Sequence, residues 1–274
     1  MSGMFDPVHA AHAIERVSAA IEFTAPTSGN DWLGIFDSLC ECSRILELPK
    51  FEDITAFLPQ ASAVPGLVPS FTMNVMPGAR FVRQSSEGKD LQALYANRSA
   101  VQLESTQYIR WEGFEEVLKE VVDRVVSSFP ESAQIAQVRL DYLDRFIERD
   151  ASEPRASWRE VLREGDHISP DHLDRETAWH THVGWFEDDG EIGRLLLNLN
   201  ADAFAEPVDA APTPRSIAVY SLVSSITPGS LTRETEAIMK RFNVLHNRSK
   251  IAVRSILTTG MQSRISIDMD ERTA

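Results

Sequence analysis

The segment that most constrains the fold is residues 137–147, Gln-Val-Arg-Leu-Asp-Tyr-Leu-Asp-Arg-Phe-Ile. Its side chains alternate with a period of two, as they do in a β-strand. One face carries Val138, Leu140, Tyr142, Asp144 and Phe146. The other carries Arg139, Asp141, Leu143, Arg145 and Ile147. Because both faces mix apolar and charged groups, we expect a strand in the middle of a sheet, with its charges paired or lining a cleft.

Around this strand the sequence predicts an α+β fold with mainly antiparallel sheets. Apolar residues at helical spacing predict a central amphipathic helix over residues 111–129, which Pro130 ends. A long C-terminal helix is predicted from a cap at Thr232 to Gly260. A further helix follows an N-cap at Asn30 or Asp31, and a short one covers 158–163. Strands are predicted over 15–23, 79–85, 90–96, 100–106, 177–186, 193–200 and 216–224.

The linkers divide the chain into two α+β halves, residues 1–150 and 151–274, which we expect to pack as one body. Residues 58–69 contain three prolines and one glycine, which predicts a surface connection rather than a strand or helix.

Composition predicts a soluble cytoplasmic protein. No apolar run is long enough for a membrane span, the start lacks the pattern of a secretion signal, and the two cysteines, Cys40 and Cys42, provide no disulfide framework. The net charge is −14, although seven basic and two acidic residues lie between Arg233 and Arg264. An acidic body repels phosphate backbones, so nucleic acid is disfavoured as a partner and a protein partner is favoured. A homo-oligomer is left open.

Residues 140–146, Leu-Asp-Tyr-Leu-Asp-Arg-Phe, resemble the Leu-Arg-Tyr-Ile-Asn-Arg-Ile motif of a sporadically distributed prokaryotic family of unknown function. Two further segments are similar to that family: the proline-rich link and hairpin before the 111–129 helix, and the His-containing ending at 245–259. The resemblance implies a fold and a size. It transfers no catalytic residue, since Asp141 and Asp144 stand where the motif has Arg and Asn.

A histidine cluster is the candidate metal site. His167, His172, His180 and His182 lie within 16 residues, and His180 and His182 share one face of a predicted strand. The alternative is that this pair is structural. We therefore expect no cofactor, and keep a divalent metal at these histidines as the alternative.

Two further groups are candidates for ligand binding or for ion networks. Arg139, Asp141 and Arg145 share one strand face and could form an ionic ladder, whereas Tyr142 and Asp144 lie on the opposite face. On the final helix, Arg241 and Arg248 accompany His246 and could bind an anion, or dock the helix on the acidic body.

These observations favour a non-catalytic protein that acts through protein–protein contacts, of an antitoxin, immunity or defence-associated type. The alternative is a metal-assisted enzyme or small-ligand-binding protein that uses the histidine cluster between His167 and His182. The sequence does not decide whether the protein is an enzyme, although it lacks a recognisable catalytic motif.

Overall fold

The computed structural model describes residues 5–62, 70–108, 110–149, 155–205, 214–226 and 231–267. The helices are α1 Gly29–Ile45, α2 Trp111–Val121, α3 Pro170–Leu173, α4 Thr235–Ile256 and α5 Thr259–Arg264. The strands are β1 Phe5–Pro7, β2 Ile14–Phe23, β3 Lys50–Asp53, β4 Ala56–Ser62, β5 Ser70–Met76, β6 Gly78–Gln84, β7 Asp90–Asn97, β8 Ala100–Ser105, β9 Ile135–Glu148, β10 Trp179–Asp189, β11 Gly193–Ala205 and β12 Arg215–Ile226.

One antiparallel sheet of ten strands forms the centre of the molecule. Its order is β10-β11-β12-β9-β2-β8-β7-β6-β3, with β1 paired to the end of β9. Helices α1, α2 and α4 pack on one face of this sheet, against apolar residues such as Val17, Leu103 and Leu140. This mixture of helices with an antiparallel sheet confirms the predicted α+β class.

Strand β9 lies between β12 and β2, so the prediction that it runs through the middle of a sheet is confirmed. Its pairing places Tyr142 opposite Val17 of β2 and Ser221 of β12. Tyr142 and Asp144 therefore face the helices, whereas Asp141 faces the other side of the sheet.

Helix ends differ from the prediction where side chains cap them. The N-cap of α1 is Ser28 rather than Asn30 or Asp31, because Asp31 is the third residue of a capping box and accepts from the Ser28 amide. Helix α4 begins after Glu234, not at Thr232, and it ends at Ile256. The separate helix α5 follows because the Thr258 hydroxyl accepts from the Met261 amide.

Three other predictions need correction. The segment 58–69 is not a plain connection, since β4 and β5 form a two-stranded hairpin on either side of residues 63–69, which lie outside the described residues. The short helix expected at 158–163 is a single 3₁₀ turn, Trp158–Glu160. The helix expected over 111–129 is α-helical only to Val121, and a π-helical turn, Val122–Val126, follows it.

The sheet includes strands from both predicted halves, because β12 pairs with β9 along its length. A buried ion cluster reinforces this join: the Glu148 carboxylate accepts from the guanidinium groups of Arg155 and Arg215 and from the Ala156 amide. These hydrogen bonds hold the pKa of Glu148 below its ordinary value despite burial.

None of the described helices has the length and apolar character needed to cross a membrane.

Candidate functional site

A cleft of about 1430 Å³ opens on the helical face of the sheet. Strand β9 forms part of its floor, and α2 and α4 contribute to its walls. The segment before β2, the end of α1, strands β6 to β8, the segment before α2 and the residues after α5 also line it. A volume of this size is sufficient for a small organic ligand.

Asp144 is the most unusual group in this lining. It is only 5% exposed, and it is one of the residues that line the cleft. Within the described residues, no side chain or backbone amide donates a hydrogen bond to its carboxyl group, and no cation pairs with it. Burial alone raises the pKa of Asp144 to about 7. Near neutral pH the carboxyl can therefore either donate or accept a proton at the cleft surface.

A group of polar aromatic side chains lies next to Asp144. The Tyr142 hydroxyl lies 2.9 Å from Nδ1 of His246, and the Tyr108 ring packs edge-on against the Tyr142 ring with 5.8 Å between centroids. Burial raises the pKa of both tyrosines above the ordinary value, so both hydroxyls remain protonated and keep a donor at neutral pH.

Trp111 fixes the orientation of His246. The two rings stack with their centroids 4.6 Å apart and their planes 5° from parallel. The Trp111 indole donates to Oδ1 of Asn243 at 2.6 Å, one turn before His246 on α4. Helices α2 and α4 thereby hold the imidazole beside the Tyr142 hydroxyl.

His12 adds a further polar group to the cleft. Its ring packs edge-on against Tyr108, with 5.9 Å between centroids, and its Nδ1 is buried with no hydrogen-bond partner among the described residues. Desolvation, followed by repulsion from nearby His9, lowers the pKa of His12, which favours the neutral ring.

The charged residues around the cleft are mixed in sign: Arg83, Arg110 and Lys250 against Glu47 and Glu112. Arg110 is the N-cap residue of α2, and its exposed side chain has no hydrogen bond to another described side chain.

Glu47 and Ser266 have positive φ angles, 55° and 56°, and both line the cleft. Each directly follows the C-cap residue of a helix, where a left-handed residue commonly ends the helix.

Only three of the predicted site residues meet in this cleft: Tyr142, Asp144 and His246. Arg139, Asp141 and Arg145 lie across the sheet from it. Arg139 contacts Asp141 at 3.5 Å, which is one rung of the predicted ladder, but Arg145 pairs with Glu15 at 2.7 Å instead. Burial raises the pKa of Asp141 to about 6, although Arg139 and Arg16 oppose that rise.

The two arginines of α4 are engaged within the molecule. Arg241 donates to the carbonyl of Ile192 at 2.7 Å and to the hydroxyl of Ser225 at 2.9 Å. Arg248 pairs with Asp189 at 3.0 Å. Of the two predicted roles for this helix, docking on the acidic body therefore describes Arg248 better than anion binding does.

The four histidines predicted as a metal site do not converge. His180 and His182 lie on the exposed face of β10, where His180 bonds to Asp202. His167 and His172 stack on Trp185 and Trp179, whose side chains lie on the opposite face of that strand. No group of three potential metal ligands occurs in the part of the chain that the structure describes.

Sequence reasoning missed Tyr108, Trp111 and His12. Of these three residues, only Trp111 could have been identified from the sequence, because it starts a helix that faces the core. Tyr108 and His12 lie in segments without periodicity.

Compared with known protein families, curated proteins and solved structures, the chain matches none.

Proposed function

We propose that this protein binds a small polar organic molecule in the cleft, in direct contact with Asp144. The observation that carries this proposal is that the Asp144 carboxyl is buried, lines the cleft and has no hydrogen-bond or ion-pair partner among the residues that the structure describes. Burying a carboxyl without a hydrogen bond is costly, and native proteins rarely do so without a compensating role. A ligand that bonds to this group would supply the missing partner.

The surrounding groups suit acid–base chemistry on such a ligand. Asp144 can exchange a proton near neutral pH, and the packed side chains of Tyr108, Tyr142 and His246 supply hydrogen-bonding groups beside it. If the protein is an enzyme, Asp144 is the residue that we assign as general acid or base.

A matched pair of variants tests the proposal. Asp144→Asn and Asp141→Asn change the same chemical group on the same strand, but only the first lies in the cleft. A library of small polar fragments is screened by the NMR signals of the tryptophan indoles, where Trp111 reports on the cleft. We expect fragments that shift the Trp111 signal in the wild type and in Asp141→Asn, with at least tenfold weaker binding to Asp144→Asn, about 1.4 kcal/mol.

Two results would contradict the proposal. One is equal binding of every cleft fragment to Asp144→Asn and to the wild type. The other is a screen in which no fragment shifts the Trp111 signal. A metal-assisted form of the function stays a separate prediction, and elemental analysis of protein purified without chelators tests it.

A second proposal is the protein-contact role that the sequence favours, in a regulator of antitoxin, immunity or defence-associated type. One observation supports it: positive charges of α4 are used inside the molecule, as the Arg248 pair with Asp189 shows. The surface of a chain with net charge −14 is then well suited to a basic protein partner. Purification from native cells at low salt should recover such a partner, and recovery of the chain alone would count against this role.

A further inference from the structure

Strand β10 is a long sheet edge. It has 11 residues and, among the described strands, pairs only with β11, in an unbroken register from Trp179 opposite Ala203 to Asp189 opposite Gly193. Among the described residues, its backbone makes no further hydrogen bond outside this ladder. One row of amide and carbonyl groups along β10 is therefore left for another strand.

The middle of this edge lacks the usual features that prevent strand pairing. Natural edge strands are commonly blocked by proline, by a bulge, or by charged residues in the centre. Strand β10 has no proline and no register shift, and its central residues are Val183, Gly184 and Trp185. Phe186, on the outer face, is 53% exposed. These properties favour a second strand as the occupant of the edge.

The charges of β10 identify that second strand. On the exposed face of β10, His180 and His182 lie toward its start and Asp188 lies toward its end, whereas Glu187 and Asp189 contact Arg248 of α4. The His180 Nδ1 contacts Asp202 of β11. An antiparallel copy of the same strand would bring Asp188 of each copy to His180 of the other. A parallel copy in register would instead place the two Asp188 carboxylates side by side, where like charges repel.

We propose that two copies of this chain pair antiparallel along β10, about a two-fold axis that passes beside Gly184. In this register His180 of each copy lies opposite Asp188 of the other, and His182 lies opposite Phe186. All four side chains are on the exposed face of β10, as cross-strand contacts require. The pairing is isologous, so it closes as a dimer and joins two sheets into one. It does not depend on the cleft.

Analytical ultracentrifugation of the full chain tests this proposal directly. We expect a monomer–dimer equilibrium at micromolar concentrations. Asp188→Lys places a cation opposite His180, and His180→Glu places an anion opposite Asp188, so each variant alone should dimerise at least tenfold more weakly.

An equimolar mixture of the two variants should dimerise again. In the mixed dimer one end of the paired strands keeps the native His180–Asp188 contact, and the other end gains a Lys–Glu pair. Asp37→Lys, an exposed change on α1, is the matched control and should dimerise like the wild type.

Proline substitution gives an independent test of the backbone contact. Successive amides in a strand point to opposite edges, so one of His182→Pro and Val183→Pro removes an outward amide and the other an inward one. The variant that keeps the wild-type melting temperature should be monomeric. A wild-type chain that stays monomeric at tens of micromolar would overturn the proposal. So would a dimer that neither Asp188→Lys nor the tolerated proline weakens.

Discussion

Asp144 illustrates how one residue can serve a site at the expense of stability. In the unfolded chain its pKa returns to the ordinary value of 3.8, compared with about 7 in the folded protein. Between these values the folded state binds more protons than the unfolded state, so the free energy of unfolding falls as pH rises. The cost is fully developed above about pH 7 and absent below about pH 4, and it is on the order of 4 kcal/mol.

Asp144→Asn should therefore be more stable than the wild type at pH 8 and close to it at pH 4. Urea unfolding monitored by circular dichroism across this range measures the difference. Asp141→Asn should show the same sign with a smaller effect, because the pKa of Asp141 is raised only to about 6. If Asp144→Asn were less stable than the wild type at pH 8, the carboxylate would have a stabilising partner, and the case for a ligand there would weaken.

At the scale of the helices, Glu47 both ends α1 and lines the cleft. Glu47 has a φ of 55°, and the Leu48 amide donates to the Ser43 carbonyl at 2.8 Å, as in a helix stop that normally uses glycine. Glu47→Gly should raise stability by about 1 kcal/mol, since glycine adopts this conformation without a Cβ penalty. Differential scanning calorimetry should show a melting temperature about 2–4 °C higher. Glu47→Ala, which keeps the Cβ, is the control and should give no such rise.

Helix α2 depends on its apolar face for attachment to the sheet. Val121 is 1% exposed at the end of this helix, beside the π-helical turn. Val121→Asp would bury an unpaired charge at a cost of several kcal/mol, comparable to the whole stability of a typical domain. We expect the variant to be unfolded by circular dichroism. Lys119→Asp, on the exposed side of the same helix, should stay folded. A folded Val121→Asp would show that α2 can detach without loss of the core.

The elements that could be predicted were those whose pattern is local. Strand β9 was identifiable because its alternation is continuous, and the same alternation placed Tyr142 and Asp144 on one face. The hairpin β4–β5 was missed because prolines indicate loops, although a two-stranded hairpin exposes edges that tolerate proline, such as Pro59 opposite Met73. The Ser28 cap was missed because Asp31 has the same preference for capping positions, and only the geometry distinguishes the two.

At the scale of the whole molecule, the cleft depends on contacts that span the sequence. Tyr142 and His246 are 104 residues apart, and no periodicity indicates that they meet. Their contact arises because β9 and α4 pack on the same side of the sheet. The sequence could therefore supply three members of the site, Tyr142, Asp144 and His246, but not their association.

The shared sheet predicts that both halves of the chain unfold together. Strand β9 lies before residue 150 and pairs with β12 after it, and α4 packs on β9 and on the π-helical turn. Separating the halves would remove a neighbour from β9 and leave Trp111 without His246. We expect one cooperative urea transition, with tryptophan fluorescence and far-UV circular dichroism coinciding. A protease site inserted between 150 and 154 allows the two halves to be cut apart, denatured and separated. Each half diluted alone should give no folded signal, and the two halves diluted together should regain it. Two separate transitions, or a half that refolds alone, would show that residues 1–150 and 151–274 are independent domains despite the common sheet.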